Sequence, residues 1–215
     1  MKLLQKVTSL VVTAAMVAGL GSNLLAAKDK VAIDAKHFPD PGFREFVSVN
    51  YDRNSDGILS IQEAECALVV KIIEDDSIKS LKGIEYLAFV KELYVQYCDI
   101  DDVDLSDNFN LTKIQFVGVT GMENLTPGII TSDISVSECQ NLKYINFEDS
   151  DYLYNLMLTS NPKLQGDIDL TASHYVKNVL MTKNPMVNNV IINKADKDKL
   201  EIYMFDDIKG KVIYK

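Results

Sequence analysis

An L-x-x-L-x-L-like frame recurs along this chain, and it restricts the possible folds more than any other feature of the sequence. It stands at Val90-x-x-Leu93-x-Val95, Leu111-x-x-Ile114-x-Phe116, Leu142-x-x-Ile145-x-Phe147 and Val176-x-x-Val179-x-Met181, with a degenerate Val69-x-x-Ile72 before and Leu200-x-Ile202-x-Met204 after. Starts at 69, 90 and 111 are 21 residues apart, whereas the steps to 142 and 176 take 31 and 34, one repeat plus roughly half of another. A second echo fits those longer steps: Val103-Asp-Leu-Ser-Asp-Asn, Ile134-Ser-Val-Ser-Glu-Cys, Leu156-Met-Leu-Thr-Ser-Asn and Ile168-Asp-Leu-Thr-Ala-Ser. A unit this short cannot bury its own apolar face, so the frame implies stacked coils that share one core. Leu93 and Val95 then point inward as alternate residues of a short strand, and their neighbours face outward.

A period in the 20–29 range with this frame is the pattern of leucine-rich repeats. The expected fold class is therefore α+β: a short leucine-rich-repeat solenoid over 69–215, preceded by a helix–loop–helix cap over 28–68. Asn108, Asn161 and Asn184 fall near the turns after strands, where their amides are suited to bonding backbone groups of the bend, or serve as ordinary turn residues. A solenoid must shield its ends. The helix–loop–helix is expected to cover the first coil and Lys199–Lys215 the last, with Lys209-Gly210-Lys211 as a hairpin turn between two apolar runs.

Residues 52–63 read Asp-Arg-Asn-Ser-Asp-Gly-Ile-Leu-Ser-Ile-Gln-Glu, which meets D-x-[DN]-x-[DN]-G-x₅-E at every fixed position. Asp52, Asn54 and Asp56 alternate so that three oxygens can converge on a hard cation, and Gly57 allows the sharp turn. Ile58 would offer its carbonyl, Ser60 its hydroxyl or a water, and Glu63 both carboxylate oxygens, so Ca2+ is the expected cofactor. Asp40-Pro41 supplies an N-cap and a first-turn proline for an entering helix bearing Phe43, Phe46, Val47 and Tyr51. Ile61, Ala64, Cys66, Ala67 and Leu68 predict an exiting helix. The acidic stretch Asp99, Asp101, Asp102, Asp104, Asp107 lacks the glycine and the closing glutamate and reads as a solvated loop.

The first 27 residues have the form of a secretory signal peptide: a basic start, the uncharged apolar run Val7 to Leu20, and Ala26-Ala27 ahead of Lys28-Asp29-Lys30. A retained anchor is the competing reading, but a span needs about 20 apolar residues, so no stable membrane span is expected after cleavage. No cysteine follows the apolar run, so a lipid anchor is not indicated. Removing two lysines and no acid takes the formal charge from −9 to −11, which argues against neutralising phosphates and so against nucleic acid. Two His and three Cys exclude a His₃ zinc site and a CxxC redox pair. Cys66, Cys98 and Cys139 read either as small apolar fillers or, for the last two, as a disulfide.

Three segments together resemble secreted bacterial leucine-rich-repeat proteins that open with a helical EF-hand-like calcium segment: Ile33 to Val47, Tyr51 to Ser60, and Ile78-Lys-Ser-Leu-Lys-Gly-Ile-Glu-Tyr-Leu87. The resemblance covers most of 33–116 and continues more loosely to the end. It implies recognition at or outside the cell surface rather than catalysis.

The leading function is thus a secreted or cell-surface binding module with an unidentified protein or glycan partner. Tyr94, Gln96, Gln115, Tyr144 and Asn146 are its candidate contact residues, with Glu92, Lys113 and Tyr203 beside them; the tyrosines offer area and a polar tip. A calcium-dependent assembly module is the second reading. A hydrolase built on Glu138 and Glu148 is the third, with nothing to place the pair at a working separation, and His174 reads as a surface or turn residue.

Overall fold

The computed structural model describes residues 30–204 and 211–215. The expected signal peptide and most of the expected hairpin turn lie outside these residues. The chain begins with β1 (Lys30–Ala32), α1 (Pro41–Tyr51), β2 (Ile58–Ser60) and the single turn α2 (Ile61–Ala64). Asp40 caps α1 by accepting the Phe43 N–H at 2.7 Å, with proline at the start of the first turn, as the sequence predicts. The exiting helix is shorter than predicted. It ends at Ala64, with Cys66 and Leu68 exposed, because its apolar residues are too few to form a second buried face.

The strands that follow are β3 (Val69–Ile73), β4 (Glu92–Gln96), β5 (Val103–Asp104), β6 (Lys113–Val117), β7 (Asn124–Thr126), β8 (Asp133–Ser137), β9 (Tyr144–Ile145), β10 (Asn155–Thr159), β11 (Gln165–Asp169), β12 (Asn178–Thr182), β13 (Met186–Ile192), β14 (Glu201–Met204) and β15 (Lys211–Tyr214). They form a β-solenoid with few helices. A seven-stranded parallel sheet, in the order β14-β12-β10-β8-β6-β4-β3, makes one wall, and two three-stranded parallel sheets, β5-β7-β9 and β11-β13-β15, make the other. Between them lies one continuous apolar cluster running from Phe38 to Val212. Phe43, Val47 and Tyr51 of α1 join it, and the Tyr51 hydroxyl donates to the Val69 carbonyl at 3.1 Å.

The coil spacing is more regular than the sequence frame indicates. Successive strands of the large sheet start 23, 21, 20, 22, 23 and 23 residues apart. The frame at Leu142 belongs to β9 on the opposite wall, and the fourth and fifth strands of the large sheet are β8 and β10. The cause is physical: both walls face the same core, so both carry alternating apolar residues, and Thr131 stands where the β8 frame would begin with leucine. Thr131 is fully buried, its hydroxyl donating to the Leu111 carbonyl at 3.1 Å. The second echo likewise divides, Ile134 and Leu156 to the large sheet, Val103 and Ile168 to the other wall. The predicted terminal hairpin is not formed. β14 and β15 join different sheets, each parallel to its neighbour.

Each of β3, β4, β6, β8, β10 and β12 is followed by a residue with positive φ: Glu74, Tyr97, Gly118, Glu138, Ser160 and Lys183. This left-handed step turns the chain out of the sheet and aims its N–H at the next coil, as in Tyr97 N–H to the Val117 carbonyl at 2.8 Å and Ser160 N–H to the Thr182 carbonyl at 2.9 Å. One residue further on stand Cys98, Val119, Cys139, Asn161 and Asn184, all buried. This is the position where the leucine-rich-repeat frame carries Asn or Cys. Asn161 accepts the Cys139 N–H at 3.1 Å and donates to the Val136 carbonyl at 3.0 Å, while Asn184 donates to the Leu158 carbonyl at 2.8 Å. Asn108, on the other wall, donates to the Ile84 carbonyl at 3.0 Å. All three asparagines bond the backbone of a neighbouring coil, the first of the two roles the sequence allows.

Cys98 and Cys139 are free and buried, and Cys66 is free and exposed. A disulfide between the first two is precluded by the coil that carries Val119 between them, since two strand spacings are about 10 Å.

Candidate functional site: the outward face of the large sheet and the 52–63 loop

Register aligns the outward residues of the large sheet in rows. The central row is Lys71, Tyr94, Gln115, Ser135, Met157, Leu180 and Tyr203, and the row before it is Val69, Glu92, Lys113, Asp133, Asn155, Asn178 and Glu201. The two halves of this face differ in chemistry. In the first, the Tyr94 ring lies between the Lys71 and Lys113 ammonium groups, 5.3 and 5.4 Å from its centroid, and its hydroxyl donates to Glu92. That arrangement, with the Tyr94 side chain as the leading cause, holds Lys113 above its ordinary pKa. Gln96 donates to Gln115 at 3.4 Å.

The second half holds a depression of about 260 Å³, lined among others by Asp133, Ser135, Met157, Asn178, Leu180 and Tyr203. Along one rim a directional ladder runs from Asn178, which donates to Asn155 at 2.6 Å, to Asn155, which donates to Asp133 at 2.5 Å. Ser132 adds its hydroxyl to Asp133 at 2.7 Å. Beyond this rim Tyr152 and Tyr175 stack in parallel with centroids 5.5 Å apart, and the Lys177 ammonium lies 5.8 Å from the Tyr154 ring.

Of the candidate contact residues, Tyr94, Gln96 and Gln115 lie together on this face. Tyr144 and Asn146 do not. Tyr144 is in β9 on the opposite wall, where its hydroxyl accepts from Gln165 at 2.9 Å, and the Asn146 side chain accepts the Glu148 N–H at 3.0 Å. Both belong to the Leu142 frame, which lies on the β5-β7-β9 wall. Sequence reasoning passed over Met157 and Leu180, whose outward position follows once β10 and β12 are placed.

In the 52–63 loop, Ser55 and Gly57 have φ of 56° and 76°. Asp52 and Glu63 are buried, at 7% and 6% exposure. Asp52 accepts the Gly57 N–H at 2.9 Å, Asn54 the Asp56 N–H at 3.0 Å, and Asp56 the Ile58 N–H at 2.9 Å. Glu63 takes the Arg53 N–H on one oxygen at 2.9 Å and the Ser60 N–H and hydroxyl on the other at 2.9 and 2.7 Å. The Ser60 hydroxyl, then its N–H, hold the Glu63 carboxyl below its ordinary value of 4.5. Among the described residues no group of three or more His, Cys, Asp or Glu side chains converges to hold a metal ion. These side chains are oxygen donors of the kind calcium takes; the Glu63 oxygen bonded to Arg53 keeps a further lone pair, whereas the one bonded twice to Ser60 does not.

The acidic stretch is a loop only in part, since Asp104 lies in β5 and pairs with Thr126. Asp99 pairs with Lys79 at 2.9 Å, and Asp102 accepts the Glu123 and Asn124 N–H groups of the next coil at 2.9 and 2.7 Å. Glu138 follows β8 on one wall and Glu148 follows β9 on the other, so the fold separates them; His174 is exposed.

No protein-family model and no curated protein matches the chain. Among solved structures it is similar to three internalins of Listeria monocytogenes. Internalin C2 of strain 4b F2365 is 16% identical, with 87% of this chain and 98% of that one covered and a TM-score of 0.37. An internalin (inlF) of the same strain is 13% identical over 84% of this chain and 72% of that one, TM-score 0.36. The functional domain of InlJ, described as including a cysteine ladder, is 11% identical over 86% and 61%, TM-score 0.33. No helix of the described residues is long and apolar enough to cross a membrane.

Proposed function

We propose that this chain is an exported recognition protein that binds a protein partner through the outward face of its seven-stranded sheet. The observation that carries the reading is the face itself: seven parallel strands set outward side chains in register without a covering element among the described residues. Its tyrosines, amides and hydroxyls suit a contact surface. Fragments selected from a displayed library against the whole chain test it. Selected binders are expected to lose affinity for a Tyr94→Ala/Leu180→Ala variant and to keep it for Tyr144→Ala; the reverse pattern would move the function to the other wall.

The 52–63 loop is proposed to hold one Ca2+, with Asp52, Asn54, Asp56 and Glu63 as side-chain ligands, the Ile58 carbonyl, and Ser60 directly or through water. The ion would supply positive charge that fixes the loop between α1 and α2. At a Kd of about 10⁻⁴ M and about 1 mM calcium the linkage is ~1.4 kcal/mol, enough to order this end of the solenoid but not to drive a switch. Calorimetric titration is expected to give one site in the wild type and none in Glu63→Gln. A wild type without heat refutes the site.

A further inference from the structure

On the reading that the large sheet is the recognition face, we propose that its binding centre is the depression over β8, β10, β12 and β14. The occupant assigned to it is an extended segment of a basic protein, which seats one uncharged apolar side chain there and sets a cationic residue beside Glu201. The first half of the face offers no such seat, since the Tyr94 ring is already enclosed by Lys71 and Lys113. The depression, by contrast, has a floor of Met157 and Leu180 with Tyr203 standing over it at 55% exposure, and about 260 Å³ is the scale of one or two side chains.

A polar group on the rim states what the apolar side chain must be attached to. The rim ladder runs one way, so the Asn178 carbonyl oxygen at its end accepts no hydrogen bond from the described residues and can take a backbone N–H. An extended segment supplies such a group beside its side chain.

Charge chooses the flank. One strand beyond Asn178 stands Glu201, exposed and, among the described residues, bonded through its side chain to the Tyr203 hydroxyl at 3.3 Å, in a chain of net charge −9. Lys113 lines the depression at its β6 side, so the cation belongs on the Glu201 side. A neutral glycan fits less well, because Tyr152 and Tyr175 spend their facing ring surfaces on each other and the floor is thioether and leucine.

The test uses the chain labelled at methionine methyls and tyrosine rings, titrated with the peptides Thr-Thr-X-Thr-Lys-Thr, X being Leu, Ile, Met or Phe. Saturable shifts are expected at Met157 and Tyr203, with the core methyls of Met122 and Met181 unmoved. Affinity should fall about tenfold with X as serine or in Leu180→Glu. A glutamate in place of the peptide lysine should weaken binding to the wild type and restore it in Glu201→Lys. Shifts confined to Tyr94 would overturn the assignment while leaving the recognition face standing. Shifts at Met157 with cellohexaose but with none of the peptides would overturn the peptide class, and no shift at Met157 or Tyr203 with any probe would overturn the site.

Discussion

Asn161 has no room for a polar side chain without partners: it is fully buried, and it satisfies one N–H and one carbonyl of the preceding coil. Asn161→Ala should strand both and cost about 2–4 kcal/mol, read by chemical denaturation. Cys139 occupies the same place one coil earlier without that network, as a small apolar filler whose burial pushes its thiol up to about 11. Cys98, also raised by burial, is its counterpart two coils before. Without reductant, a thiol reagent is expected to label Cys66 at once and all three cysteines after unfolding; fewer than three labels would mean a disulfide. At the left-handed position Lys183, φ 54°, carries a side chain where glycine is favoured, so Lys183→Gly should raise the melting temperature by a few degrees, roughly 0.5–1 kcal/mol.

The elements show where the sequence was readable. Helix α1 and its cap follow from Asp40-Pro41 and the spacing of Phe43, Val47 and Tyr51, because capping and helical periodicity are local. The strands at 69, 92, 113, 178 and 201 follow from the frame because their apolar residues alternate and their starts are marked. The strands at 133 and 155 did not, since a buried threonine takes the lead position of one and an equally apolar opposite wall offers a competing frame. Only pairing partners distinguish the two walls, and those are set by stacking. The loop between α1 and α2 was legible as a spacing of residue types, while its pH behaviour needed contacts. Glu63 is held below its free value by Ser60, so the stability it contributes is present above about pH 4.5 and is lost as pH falls through its lower folded value. The melting-temperature gap between wild type and Glu63→Gln should narrow across that acid range and be constant from pH 6 to 8. A gap that widens on acidification would assign the carboxyl the opposite shift.

As a whole the molecule is a stack in which each coil contacts its neighbours along one core, with a helix-bearing segment at one end and a seven-stranded sheet on one side. The residues of the proposed recognition surface are scattered over 110 positions in sequence, from Tyr94 to Tyr203, and are brought together by the register of the seven strands. Their chemistry could be read from the sequence, but their neighbourhood could not. Hydroxyl-radical footprinting of the chain, free and bound to a binder selected against it, measures the consequence directly. Protection of Met157, Tyr94 and Tyr203, with Tyr144 and Tyr214 unchanged, is the outcome expected of recognition through the seven-stranded sheet. Protection of Tyr144 with Met157 and Tyr203 still open to oxidation would contradict it.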